Sequence, residues 1–416
     1  ATYAVTLVVP EHMMAISNSA DVSDTPTGDG RRIVEFATTM KMSTYLVAFV
    51  VGELEATDPV DVDGTPLRII HTPGKANLAQ FALDAGAFAL RYFADYYAIP
   101  YPGDKLDMIA VPDFAWGAME NLGAVTYRET ALLVDPDKAT QSELARVADV
   151  IAHELAHMWF GDLVTMKWWN GIWLNEAFAT FMELKCVDAF RPEWKRWLSF
   201  ANFRAQSMDV DGLASTRPVE FPVASPEEAN AMFDTLTYGK GSAVLRMLEQ
   251  YLGEETFRKG IGSYLKKHAY GNTETADLWA ALEAESGESV GEIMSGWIYQ
   301  GGYPQLDVTA TEGGYVLRQR HFRFLEDGDS TWQVPALYRS GDQQSRVVVG
   351  DEAFVPSSDG ELFLNSGGDG FYRINYAPEQ LASIADRFPE LASAERYTLL
   401  ADAWANVLGG ATPAKE

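Results

Sequence analysis

His153 and His157 stand four residues apart, with Glu154 between them, in a stretch where Leu144, Val147, Ala148, Ile151 and Leu155 recur at helical spacing. Thr140 and Glu143 at its head have the spacing of a reciprocal capping box, so the pattern predicts a helix over 141–159. Residues four apart on a helix share one face about one turn apart, which brings both imidazoles together. Met158, Trp159 and Phe160 follow directly, and so apolar a helix fits a solvated surface poorly. Among six histidines no other pair has this spacing.

His-Glu-x-x-His on a helix is metal-ligand spacing. The single cysteine, Cys186, excludes an intrachain disulfide and a cysteine cluster, so a metal must rest on histidine and carboxylate. Cys186 itself lies in the apolar stretch 181–190 and reads as a buried small hydrophobe. Catalytic zinc takes three protein ligands and leaves a fourth position open for water. Glu176 is the best third ligand: it lies 19 residues past His157, beyond the turn Trp168-Trp169-Asn170-Gly171, and opens a helix-like run over 177–184. Glu183, inside that run, is the alternative. Glu154, adjacent to a ligand but about 100° further round the helix, suits a general base.

A chain of 416 residues with 47% hydrophobic and 12% aromatic residues forms packed cores, in two to four domains. Its 32 basic against 59 acidic residues give a net charge of −27, which repels nucleic acid and anionic membrane surfaces. The apolar run 45–51 falls far short of the roughly 20 residues that span a bilayer. Residues 1–9 have neither a basic leader nor a cleavage site and read as strand; with no disulfide, the cytoplasm is the expected compartment.

From residue 1 to about 71, β-branched segments such as 32–36 and 45–51 alternate with turns, predicting antiparallel sheet. Between about 73 and 303 the pattern is helical, with a β-like interruption at 106–111 and 124–127. Short alternating runs at 315–319, 346–349, 361–364 and 371–376 suggest a small β-sandwich, and residues from 378 onward read as amphipathic helices.

Two motifs make a resemblance specific. His153-Glu154-x-x-His157 with Glu176 in Trp173-Leu-Asn-Glu-Ala-Phe, preceded by Gly117-Ala118-Met119-Glu120-Asn121, resembles the gluzincin zinc metallo-aminopeptidases of the aminopeptidase N type. Trp159-Phe-Gly-Asp-Leu-Val-Thr-Met-Lys-Trp-Trp169, Tyr238-Gly-Lys-Gly241 and Gly302-Tyr-Pro304 extend the likeness over nearly the whole chain. The resemblance implies an α+β multidomain fold. Its parts are the end of an N-terminal β-sheet domain (1–73), a thermolysin-like α/β zinc catalytic domain (74–303), a small β-sandwich (304–377) and the start of a C-terminal helical domain (378–416). Members usually carry more of the first and last of these, including a glutamine that helps bind the substrate's amino group.

The resemblance further implies hydrolysis of the N-terminal residue of peptides, with one Zn2+ per chain on His153, His157 and Glu176 and with Glu154 as the base that activates water. Tyr238 is matched to the family's oxyanion donor. Gly117, Ala118, Met119, Glu120 and Asn121 are matched to its substrate-binding segment, Glu120 facing the free ammonium group, Gly117 and Ala118 lining the peptide and Met119 bordering the pocket for the first side chain. The implied partners are peptides with a free N-terminus. Three other readings remain open: a thermolysin-like endopeptidase, a lipid epoxide hydrolase, which usually has glycine where Ala118 stands, and an inactive fragment or binding module.

Overall fold

The computed structural model describes residues 1–325, 328–341, 343–357 and 361–413. It divides into two compact units: Ala1–Lys167, Met182–Arg196 and Ile261–Glu274 form the first, and Trp168–Phe181, Trp197–Gly260 and Thr275–Glu416 the second.

The first unit begins with β structure. Thr6–Pro10, Arg31–Phe36 and Asp21–Pro26 form a three-stranded antiparallel sheet, and Met14–Ser17 pairs antiparallel with Phe49–Gly52. A mixed sheet follows in the order Ala118–Met119, Ala124–Arg128, Leu106–Val111, Thr65–His71 and Glu55–Ala56, with Val60–Val62 also paired to Thr65–His71. The expected antiparallel pairing therefore holds for the early strands, while Thr65–His71 also pairs in parallel with Leu106–Val111. Helix α1 (Gln80–Tyr97) makes the crossover that a parallel pair requires. Leu106, Met108, Ile109 and Ala110 are all buried, as in a strand covered on both faces.

Helix α2 (Gln141–His157) packs against α1 and carries the histidine pair. Its N-terminus is the expected capping box: Glu143 donates its amide N–H to Thr140 Oγ1 (3.3 Å), and Thr140 donates its N–H to Glu143 Oε2 (2.8 Å). It ends two residues before the predicted limit, because the chain tightens into turns in which Trp159 and Phe160 both donate to Ala156 O. Helix α3 (Trp173–Phe190) starts four residues before the predicted run, so Glu176 lies in its first turn. Cys186 is buried on it, as expected.

The second unit holds α4 (Arg196–Asp211) from Trp197 onward, α5 (Pro226–Ala231), a π-helical turn over Leu236–Lys240 and α6 (Gly241–Leu252). Helix α7 (Glu254–His268) and α3 are each unbroken, with halves assigned to different units. After α8 (Thr275–Ser286) and α9 (Val290–Tyr299) come a four-stranded and a three-stranded sheet. The alternating runs 315–319 and 346–349 fall within Gly314–Phe322 and Gln343–Val349, whereas only the ends of 361–364 and 371–376 are strand, at Phe363–Leu364 and Arg373–Tyr376; Tyr303–Thr311, Val334–Ser340 and Glu352–Pro356 are additional. Helices α10 (Pro378–Asp386) and α11 (Ser393–Leu408) complete the unit. Among the described residues no helix is long and apolar enough to cross a membrane.

Candidate metal centre

The two imidazoles are fixed by hydrogen bonds from their outer nitrogens. His157 Nδ1 lies 2.8 Å from Phe160 O, a carbonyl aimed back at the ring by the tight turns that end α2. His153 Nδ1 lies 2.7 Å from Glu183 Oε2 on α3. A carbonyl and a carboxylate only accept, so each Nδ1 carries the proton and each Nε2 keeps its lone pair.

Those two Nε2 atoms face each other at 3.1 Å. Two lone pairs at that distance repel unless a cation lies between them. Tetrahedral zinc with bonds of about 2.0–2.1 Å would separate two nitrogen ligands by about 3.3 Å, close to what is found. A carboxylate oxygen of Glu176 completes the set, all three ligand atoms lying within 4.8 Å of one another. Two imidazoles and one carboxylate fit a zinc site with an open fourth position.

Glu176 and Glu183 are seven residues apart on one helix, hence nearly on the same face. Glu176 joins the ligand atoms, while Glu183 holds the far side of His153, so the two candidates for a single role occupy different positions. Behind Glu183 stands a pair that the sequence did not mark. Asp149, one turn before His153 on α2, is gripped by both Nε and Nη2 of Arg196. Burial and the neighbouring charge of Glu183 push the Asp149 carboxyl up to about 7, against the pull of Arg196.

A second convergence places the carboxylates of Glu120 and Glu154 within 4.8 Å of each other and of His157, all three buried. Glu120 follows the edge strand Ala118–Met119, whose inner side pairs with Thr126 and Tyr127. Gly117 is exposed, and Ala118 and Met119 are half-buried. The amide of Asn121 donates to Leu46 O (3.3 Å), and its oxygen accepts from Thr126 Oγ1 (3.1 Å), so it braces the segment from within. Gly123 closes the turn at φ +72°, where a Cβ would lie 2.1 Å from Asn18 O; only glycine permits that approach.

Asp162 is a further acid that sequence reasoning missed. It is 2% exposed, and neither carboxylate oxygen has a hydrogen-bond partner among the described residues. Burial, helped by the charges of Glu120 and Glu154, pushes its carboxyl well above the usual range. It lies inside the stretch 159–169, but nothing in the sequence distinguishes it from a surface aspartate. Tyr238 is half-buried on the π-helical turn of the second unit, a rare backbone form that recurs at functional sites.

The chain is 44% identical to a puromycin-sensitive aminopeptidase of Caenorhabditis elegans, over 94% of this chain and 43% of the relative. It is 41% identical to aminopeptidase M1 of Arabidopsis thaliana (97% of this chain, 49% of the relative) and 40% identical to the alanine/arginine aminopeptidase of Saccharomyces cerevisiae (99% and 49%). The chain thus spans about half the length of the curated relatives it matches. The peptidase M1 N-terminal domain matches residues 1–46, and the peptidase family M1 domain matches residues 81–297, more than half of the chain and the part that bears the histidine–glutamate cluster. The chain belongs to peptidase family M1.

Proposed function

We propose that this chain carries the catalytic centre of a zinc aminopeptidase, which removes the N-terminal residue of peptides by hydrolysis. The names of its relatives support the activity, and the convergence of Glu120, Glu154 and His157 within 4.8 Å is the observation that carries the exopeptidase reading. A carboxylate that binds the substrate's ammonium this close to the base leaves room for only one residue before the bond to be cut.

His153, His157 and Glu176 would hold one zinc ion, which supplies a Lewis acid that acidifies water and polarises the scissile carbonyl. Glu154, buried beside His157, takes the proton of the attacking water and delivers it to the leaving amine. Tyr238 donates its phenol O–H to the oxygen on which negative charge develops, an interaction typically worth about 10²–10³ in rate. Glu120 binds the free ammonium by a charge-assisted bond. Gly117 and Ala118 present backbone along the peptide, and Met119 borders the pocket for its first side chain. Asn121 serves this segment by holding it to Leu46 and Thr126. The division into the end of an N-terminal β-domain (1–73), a thermolysin-like catalytic domain (74–303), a β-sandwich (304–377) and the start of a helical domain (378–416) belongs to the same proposal.

The test is hydrolysis by the zinc-loaded full chain of an aminoacyl-anilide and of peptide pairs that differ only in N-acetylation. Free-amine substrates are cleaved and acetylated ones rejected. Internal cleavage of acetylated peptides at the same rate would instead make the protein a thermolysin-like endopeptidase. A zinc-loaded chain that cleaves neither is a binding module.

A further inference from the structure

The sequence stretches Tyr238-Gly-Lys-Gly241 and Gly302-Tyr-Pro304 are joined by one side chain. Lys240 ends the π-helical turn, and both its side chain and that of Asp211, the last residue of α4, are 0% exposed. Its Nζ lies 2.8 Å from Asp211 Oδ2 and donates to Gly302 O (2.9 Å) and Gln300 O (3.3 Å). Two hydrogen bonds to carbonyls and one ion pair thus hold the ammonium group. Asp211 in turn accepts the Gly302 N–H at 2.9 Å and the Thr216 hydroxyl on Oδ1.

The other end of the turn is held equally firmly. Asp234 Oδ1 accepts the N–H groups of Leu236 (2.9 Å) and Thr237 (3.1 Å), and Arg217 grips both Asp234 and Thr237 Oγ1. Between these anchors the backbone is pressed against two helices. A Cβ on Gly239 would lie 2.1 Å from Ser207 Oγ on α4, and one on Gly241 would lie 2.6 Å from Ala177 Cβ, the neighbour of Glu176 on α3. Tyr238 is the residue this seating presents.

We infer that Lys240 is a positioning residue: its buried ammonium fixes the π turn so that the Tyr238 phenol is held in one place. This rests on the reading of Tyr238 as the oxyanion donor. A buried ion pair contributes little net stability, since an apolar pair of similar volume often serves as well or better. What it supplies here is direction: an ion pair and two hydrogen bonds, two residues from the phenol, tie a rare backbone form to α4 and to the Gln300–Gly302 segment. An oxyanion donor needs that placement, because a shift of about 1 Å in a catalytic group costs about 10²-fold.

The experiment is a double-mutant cycle in the zinc-loaded full chain with Tyr238→Phe, Lys240→Met and both. The readouts are kcat and KM on an aminoacyl-anilide and affinity for a phosphinic pseudopeptide that imitates the tetrahedral carbon. Lys240→Met should lower kcat about 10²-fold, weaken the phosphinic ligand in parallel and leave KM nearly unchanged. Added to Tyr238→Phe it should lower kcat by no more than about twofold, since the phenol it positions is gone. If the two losses multiply, or if Lys240→Met changes only melting temperature and zinc content, Lys240 does not act through Tyr238 and the inference falls while the role of Tyr238 stands. Unchanged kcat in Tyr238→Phe removes the role of Tyr238 itself, and the inference with it. Should Lys240→Met not fold, Lys240→Met with Asp211→Asn, which removes both charges together, takes its place in the cycle.

Discussion

Replacing Glu183 by alanine tests the centre without relying on turnover. Glu183 Oε2 is 2.7 Å from His153 Nδ1, a length typical of charge-assisted bonds, with the two side chains 18% and 13% exposed. The substitution removes the acceptor that fixes the ring's tautomer and plane, and it leaves Nδ1–H in a largely dry site. Loss of such a partner typically costs about 10–100-fold in metal affinity, or about 1.4–2.8 kcal/mol. Glu183→Gln keeps an acceptor oxygen and should stay within the lower end of that range. Glu176→Ala removes a ligand and should be worse than either. The measurement is zinc affinity at fixed neutral pH, by competition with a chromophoric chelator. Wild-type affinity in Glu183→Ala would refute the reasoning. A greater loss in Glu183→Ala than in Glu176→Ala would make Glu183 the ligand and Glu176 the outer partner.

Glu154→Gln should retain its zinc, seen by elemental analysis, yet lose nearly all turnover; loss of the metal would make Glu154 a ligand. Glu120→Ala should slow cleavage of free-amine substrates and shrink the preference over acetylated ones, and an undiminished preference would remove Glu120 from ammonium binding. Gly123→Ala should destabilise by at least about 1–2 kcal/mol from its left-handed backbone alone, more with the Asn18 clash, and raise KM because the segment bearing Glu120 is displaced. A melting temperature equal to wild type would show that the turn gives way freely.

Four-residue spacing on a capped apolar helix determined, by itself, that His153 and His157 would point together, because the α-helical period leaves no other outcome. Local signals of the same kind placed α2, the buried strand Leu106–Val111 and the terminal helices. Spacing could not separate Glu176 from Glu183, since seven residues along a helix bring both to one face. Only the meeting of α3 with α2 decided that Glu176 joins the two Nε2 atoms while Glu183 holds an Nδ1. The support of the centre was hidden for the same reason. Asp149 with Arg196 and Lys240 with Asp211 are ordinary charged residues in sequence, and they act as braces because folding removes them from water beside one particular partner. Periodicity is a property of the chain and is legible in it. Which side chains share a dry, charged pocket depends on contacts between segments far apart in sequence, as with Lys240 and Gly302, and those exist only once the segments have packed.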